Sequence, residues 1–270
     1  MLSGVQKKLV FRKDENGYAL PLHGAPGNVI LKRPSSRYAG LVANELFCER
    51  AMQVFGPPTP VSHAVRAHDL FESERYDRVM NASGDIVRLH QEDFCQIVGR
   101  PPGRKYQQQD GPTFRDCANL LRRYSVNAAE DLSHFVVATI GNVCLGNMDA
   151  HAKNFALVTR PEGRQLAPIY DVVCTEVYPQ LASELSMFIG EAKNPAAITR
   201  ADLLRLAKMM GVASRLVFDA VEKVTTILVA ELPSLLEQVA SEADNTAILG
   251  DIKVFVRQRV EKMQRVLVQA

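Results

Sequence analysis

No run of apolar residues in this 270-residue chain approaches the roughly eighteen that a membrane-spanning helix requires. The opening residues, Met1-Leu2-Ser3-Gly4-Val5-Gln6-Lys7-Lys8, lack the apolar stretch of a secretory signal. A cytoplasmic protein without membrane association is the expectation. Cysteine is sparse. Cys48, Cys95, Cys117, Cys144 and Cys174 are scattered and never form a Cys-x-x-Cys pair, which argues against a disulfide framework or a zinc site and for reduced, buried thiols. Neither sign of charge is in excess: 32 Lys and Arg face 30 Asp and Glu, a formal net charge of +2. No basic face is implied, and nucleic acid is not an obvious ligand. There is no internal repeat or low-complexity tract. Gly-x-Gly-x-x-Gly is absent, so nucleotide recognition has no glycine signature to rest on.

At 47% apolar and 23% charged residues, the chain has the composition of an ordinary globular protein, long enough for one large domain or two lobes with separate cores. Its character changes near residue 90. Before that point, short β-branched and aromatic runs at 9–12, 18–21, 28–32 and 61–67, bounded by Gly, Pro and Asn, predict strands. One helix interrupts them over 40–55, ending at Gly56-Pro57-Pro58. Beyond residue 90 helices dominate. Over 128–144 the apolar residues Leu132, Phe135, Val136, Ile140 and Val143 line one helical face. Thr199 and Asp202 read as a capped start, and Gly211 as a stop. Ile252, Phe255, Val256, Val260, Met263 and Leu267 form a last stripe. The expected architecture is α+β and bilobal: a β-rich lobe over residues 1–90 and a larger helical lobe over 91–270.

The most informative stretch is Asp149-Ala150-His151-Ala152-Lys153-Asn154, with Asp171 seventeen residues beyond Asn154. Phosphoryl transfer to a hydroxyl needs one carboxylate to accept the proton, plus an amide oxygen and another carboxylate to hold the metal that neutralises the phosphates. Asp149, Asn154 and Asp171 match that set. Taken alone, Asp149 and Asn154 could equally close a turn after a helix. Lys32 ends the β-branched run Asn28-Val29-Ile30-Leu31-Lys32, as a strand lysine that contacts nucleotide phosphates does. Glu45, on the following helix, is its candidate partner.

Together with these, the strings Ser3-Gly4-Val5-Gln6-Lys7-Lys8, Asn44-Glu45, Glu74-Arg75-Tyr76-Asp77-Arg78, Gln91-Glu92-Asp93-Phe94-Cys95-Gln96, Gly146-Asn147-Met148-Asp149 and Pro168-Ile169-Tyr170-Asp171 resemble the HipA-like serine/threonine kinases, bacterial toxins of toxin–antitoxin modules. The resemblance implies a protein-kinase-like fold using ATP and Mg2+. It implies Asp149 as catalytic base, Asn154 and Asp171 as magnesium ligands, and Lys32 as the phosphate-binding lysine. Glu74, Arg75 and Tyr76 would be the hinge for adenine, with Asp77 near the ribose, and His151, Ala152, Lys153 and Tyr170 would line the nucleotide. Phosphates would lie under Ser3, Gly4, Val5, Gln6, Lys7 and Lys8, and Ser3 is the implied autophosphorylation site that silences the kinase. His151 is read as structural, holding the catalytic loop by one ring nitrogen, and Gln91-Glu92-Asp93 as a tie between lobes.

The resemblance further implies a HipB-like helix-turn-helix antitoxin that makes the DNA contact, and an aminoacyl-tRNA synthetase as protein substrate. The chain starts almost inside the phosphate loop. That is similar to short HipT-type relatives and raises the expectation of a small partner protein in place of an N-terminal domain. Two other readings stand beside this one: a small-molecule phosphotransferase of the aminoglycoside kind, and an inactive antitoxin-binding module.

Overall fold

A computed structural model describes residues 7–34 and 36–268. Strands β1 (Lys8–Asp14), β2 (Gly17–Ala19) and β3 (Val29–Lys32) are followed by helix α1 (Leu41–Phe55), then by β4 (Ser62–Val65) and β5 (Leu70–Glu74). The five strands form one antiparallel sheet in the order β2-β1-β3-β5-β4. All four strands expected here are present: β1 extends beyond its expected ends, β2 is shifted towards the N-terminus, and β3 and β4 are trimmed by a residue or two, while β5 was not expected. Lys8 pairs with Lys32, and Lys32 with Phe71, so the strand lysine lies mid-sheet.

Helix α1 lies against this sheet and is buried over most of its length, including Asn44, Glu45 and Glu49. Burying such groups costs free energy unless they are paired. Asn44 is fully satisfied across the fold: its amide nitrogen donates to the Cys174 carbonyl at 2.9 Å and its oxygen accepts from the Cys174 N–H at 2.8 Å. That double bond fixes α1, and with it Glu45, against the segment that follows Asp171.

A hairpin of β6 (Arg78–Met80) and β7 (Ile86–Arg88) leads to β8 (Gln91–Asp93) and α2 (Phe94–Val98). Strand β8 pairs with β9 (Ala156–Arg160), which pairs in turn with β10 (Gly163–Leu166). This second sheet inside the helical part was not expected from the sequence. Ala156, Leu157 and Val158 are all buried, and a continuous buried run does not alternate, so period-two patterning cannot reveal it.

Helices α3 (Phe114–Tyr124), α4 (Ala128–Leu145), α5 (Arg200–Met210), α6 (Ser214–Glu242) and α7 (Ile248–Val268) make up the rest. Thr199 and Asp202 form the expected capping box of α5, and Gly211 ends it in the left-handed region. Helix α4 departs from the one-face expectation: every residue from Phe135 to Leu145 is buried, because it contacts α1, α3, α6 and α7 together. Gly141 permits this, since a Cβ there would lie 3.0 Å from Met52 and Phe55 of α1. A larger residue would require the Met52 and Phe55 side chains to give way.

Candidate active site

A cleft of about 360 Å³ is bounded on one side by β1, β3 and the stretch after β5, and on the other by residues 151–154 and 170–171. Lys8, Lys32, Glu74, Arg75, Tyr76, Asp77, His151, Lys153, Asn154, Tyr170 and Asp171, spread over the sequence, all line it. Ala152 is buried beside it. Lys7 is placed elsewhere. It lines a separate hollow with Arg33, Tyr38 and His68, because successive residues of an extended strand point to opposite sides. Ser3, Gly4, Val5 and Gln6 lie outside the described residues.

Lys32 is the centre of the cleft's charge. Its Nζ donates to Asp171 Oδ1 at 2.7 Å and to Glu45 Oε1, with the Phe71 ring 5.3 Å below. Burial alone would favour the neutral amine, but Asp171, Glu45 and Glu49 outweigh it and hold the ammonium well above its ordinary range. The Lys32 charge in turn holds the Asp171 carboxyl down at about 2, against the opposing effect of burial. Asp171 has φ 62°, a sparsely populated conformation for a non-glycine residue and one that concentrates at functional sites. Glu49, one turn beyond Glu45, is pushed up to about 8 by burial and by the Glu45 charge, so it carries a proton at neutral pH. Its Oε2 has no hydrogen-bond partner.

Helix α4 ends at Gly146, at φ 76°, where a Cβ would meet Phe255 at 2.5 Å. The chain then enters the catalytic-loop candidate. Asn154 Nδ2 donates to the Asp149 carbonyl at 3.1 Å, and the His151 N–H donates to the same oxygen at 2.8 Å. With its nitrogen committed, Asn154 offers Oδ1 to the cleft. Asp149 Oδ1 accepts from the Tyr106 hydroxyl at 2.9 Å. His151 is 1% exposed, yet neither ring nitrogen has a hydrogen-bond partner. The expectation that one of them holds the loop is therefore corrected. The backbone of His151 makes that bond, while its ring lies edge-on to Tyr106 at 5.4 Å. Burial lowers the imidazole to about 4, so it is neutral at physiological pH.

Asp77 is committed as well. Arg75 reaches it with two bonds, at 2.9 and 2.7 Å, and Arg78 with a third contact at 2.6 Å. Burial would raise its carboxyl, but these guanidinium groups prevail and hold it below its ordinary value. Asp77 thus braces the stretch after β5. Tyr76 stacks on Tyr170, with ring centroids 5.7 Å apart, and donates to Gln91 Oε1. The Tyr170 hydroxyl donates to the Lys153 carbonyl at 2.9 Å, and Lys153 Nζ lies 3.2 Å from Asp93 Oδ2. Gln91 and Asp93 therefore tie the two walls together, through Tyr76 on one side and Lys153 on the other.

No group of three or more His, Cys, Asp or Glu among the described residues could hold a metal alone. That suits Mg2+, which is commonly bound by one or two carboxylates with phosphate oxygens completing its shell. Asn154 and Asp171 supply an amide and a carboxylate of the hard oxygen type it requires. Glu49 and Tyr106 are the site residues that motif reasoning passed over. A second acid four residues after Glu45 on an apolar helix was a legible signal; a tyrosine in a polar loop was not.

This is a two-lobed, protein-kinase-like α+β fold with its candidate nucleotide cleft between a small sheet and a helical body. The profile of the HipA-like C-terminal domain matches residues 1–232, and the chain belongs to that family. It is 38% identical over 218 residues to the Sinorhizobium fredii protein named "Putative kinase Y4mE", covering 80% of this chain and 52% of that protein. With the serine/threonine-protein kinase toxin HipA of Shewanella oneidensis it shares 27% identity over 283 residues, 97% of this chain and 63% of the toxin. The chain thus spans between half and two thirds of these relatives. Among solved structures, the Shewanella oneidensis HipA, HipB and operator DNA complex matches with a TM-score of 0.88 at 22% identity, covering all of this chain and 67% of the matched one. The Helicobacter pylori proinflammatory kinase CtkA matches at 0.55 and 11% identity. Both structural likenesses concern the fold. Among the described residues no helix is long and apolar enough to cross a membrane.

Proposed function

We propose that the chain is an ATP- and Mg2+-dependent serine/threonine protein kinase that acts as the toxin of a HipBA-type module in the cytoplasm. The observation that carries this is the meeting, at one cleft, of the Lys32–Asp171 ion pair with Asn154 and its bond to the Asp149 loop. ATP with Mg2+ supplies an activated phosphoryl group whose charge is spread between the metal and nearby cations. Asp149 takes the proton of the attacking hydroxyl. Lys32 and Lys8 meet phosphate oxygens, Asn154 and Asp171 hold the metal, and Tyr76 and Tyr170 flank the base. Residues 1–90 serve as the nucleotide-binding lobe and 91–270 as the catalytic lobe, with Ser3 as the autophosphorylation site.

The family and the HipA relatives support the toxin assignment. The solved HipA, HipB and operator DNA complex supports a HipB-like helix-turn-helix antitoxin as partner; that DNA is reached only through it, and that the substrate is an aminoacyl-tRNA synthetase whose phosphorylation stops translation, are our further proposals. A small protein that covers the sheet is a further proposed partner. In the test, Asp149→Asn lowers transfer of labelled γ-phosphate by about 10²- to 10⁴-fold and relieves growth inhibition without lowering the melting temperature. Undiminished transfer or toxicity in that variant would refute the assignment.

A further inference from the structure

Residues 100–111 form a loop between α2 and α3 that reaches the candidate catalytic loop, and two adjacent side chains in it are fastened in different directions. Tyr106 is 9% exposed and its hydroxyl donates to Asp149 Oδ1 at 2.9 Å. Gln107 faces the segment after Asp171: its N–H donates to the Ser186 carbonyl at 3.0 Å, and its Oε1 accepts from the Phe188 N–H at 2.9 Å. Ser186 closes the circuit by donating its hydroxyl, at 2.6 Å, and its N–H, at 3.0 Å, to the carbonyl of Met148, the residue before Asp149. The loop itself is pinned where the Gly111 N–H donates to the Tyr106 carbonyl at 2.9 Å. Only glycine permits that approach, since a Cβ at 111 would lie 2.6 Å from the same oxygen.

Three segments distant in sequence thus close a ring of hydrogen bonds through Asp149: residues 106–107, 148–149 and 186–188. We propose that Tyr106 is the positioning residue for Asp149, fixing the rotamer in which its carboxylate meets the acceptor hydroxyl, and that Gln107 couples this contact to the segment around Ser186 and Phe188. The role rests on Asp149 acting as base, as proposed above. A carboxylate free to rotate spends only part of its time in reacting geometry, and small displacements of a reacting group lower rates steeply. The phenol is a dependable donor. Burial and the neighbouring Asp149 charge push its ionisation far above the physiological range.

The test compares the unaltered chain with Tyr106→Phe, Asp149→Asn and the double variant. It measures transfer of label from γ-labelled ATP to the protein and to water, affinity for a fluorescent ATP analogue, and thermal melting. Tyr106→Phe keeps the ring against His151 and removes one oxygen. The expected result is a kcat lowered about 10- to 100-fold with KM and analogue affinity within about twofold of the unaltered chain. In the Asp149→Asn background the same substitution should change the residual rate by less than about twofold, because the group it positions is gone. An unchanged kcat, a loss confined to KM, or a full additional loss in the Asp149→Asn background would each overturn the proposal. Should Tyr106→Phe unsettle the fold, Gln107→Ala serves instead: it leaves the phenol intact, frees the loop from Phe188, and should lower kcat by a smaller factor, with no loss counting against the coupling. Absence of transfer by the unaltered chain with Mg2+ would overturn both this role and the kinase assignment, whereas an active chain indifferent to Tyr106→Phe overturns this role alone.

Discussion

Around Lys32, four ionisable groups from both sides of the cleft share one buried network: Lys32, Glu45, Glu49 and Asp171. At Asp149, the carboxylate accepts from the Tyr106 phenol, while the backbone carbonyl accepts from the His151 N–H and the Asn154 amide. The difference suits the two tasks. A charged network is strongly coupled and can redistribute when a divalent cation and a polyphosphate arrive, because each member senses the charge of the others at low dielectric. Neutral hydrogen bonds fix direction without cancelling the charge of the carboxylate, which a base must keep. The Lys32 network is built to be rearranged by its ligand, the Asp149 loop to stay still.

Substitutions in the charged network should therefore have large effects that depend on pH and metal, in contrast to those at the Tyr106 contact. The largest is expected for Asp171→Asn, which removes the anionic metal ligand and the main partner of Lys32; transfer of labelled γ-phosphate should fall by about 10³-fold. Retention of Mg2+-dependent transfer at even a tenth of the original rate would remove Asp171 from the metal site. Next comes Lys32→Met, which leaves carboxylates buried without their cation and should cost about 3 kcal/mol in denaturant unfolding at pH 7. That penalty should shrink in acid as Glu45 and Asp171 lose their charge, and a penalty independent of pH would mean that the pairing is not the cause. The smallest effect is expected for Glu49→Gln. With its folded-state value raised to about 8, Glu49 binds a proton in the folded chain that it loses when unfolded, so its contribution to stability falls as pH rises from the ordinary carboxylate range towards 8. The glutamine variant should melt several degrees higher than the unaltered chain above pH 8 and equally near pH 4. A pH-independent difference would show that shape, not ionisation, is at issue. Asp171 runs the other way: its lowered value means a contribution present above the ordinary carboxylate range and lost as pH falls towards 2.

Much of the fold was open to reading because local chemistry and tertiary placement agree. The breakers after Phe55, the capping box at Thr199 and Asp202, and the β-branched run into Lys32 mark elements whose ends are set by their own residues. Helix α4 was located to within one residue and only its burial on several sides was missed, whereas the hairpin of β9 and β10 was missed outright, since a strand buried on both faces lacks the alternation that reveals a half-buried one. At the site, compact strings made legible that Lys32, Asn154 and Asp171 meet at one cleft with Glu45 paired to Lys32, and Asp149 joins them through the Asn154 bond to its carbonyl. The place of Lys7 was not legible, because extended backbone turns it to the side opposite Lys8. His151 was not either; its conformation gives the bonding to its backbone and leaves the ring unsatisfied.

What the sequence determined unaided was which chemical groups the chain owns and in what order: a strand lysine, a helix glutamate, and an Asp, an Asn and an Asp at spacings that suit a metal and a phosphate. The tertiary structure decided which groups touch. Lys32 meets Asp171 across 139 residues of chain, and Tyr106 meets Asp149 across 43. Contacts between such distant segments are set by how α1 and α4 pack and where the loop at 100–111 lies, and those positions follow from the burial of the whole core and leave no local trace in the residues that benefit from it.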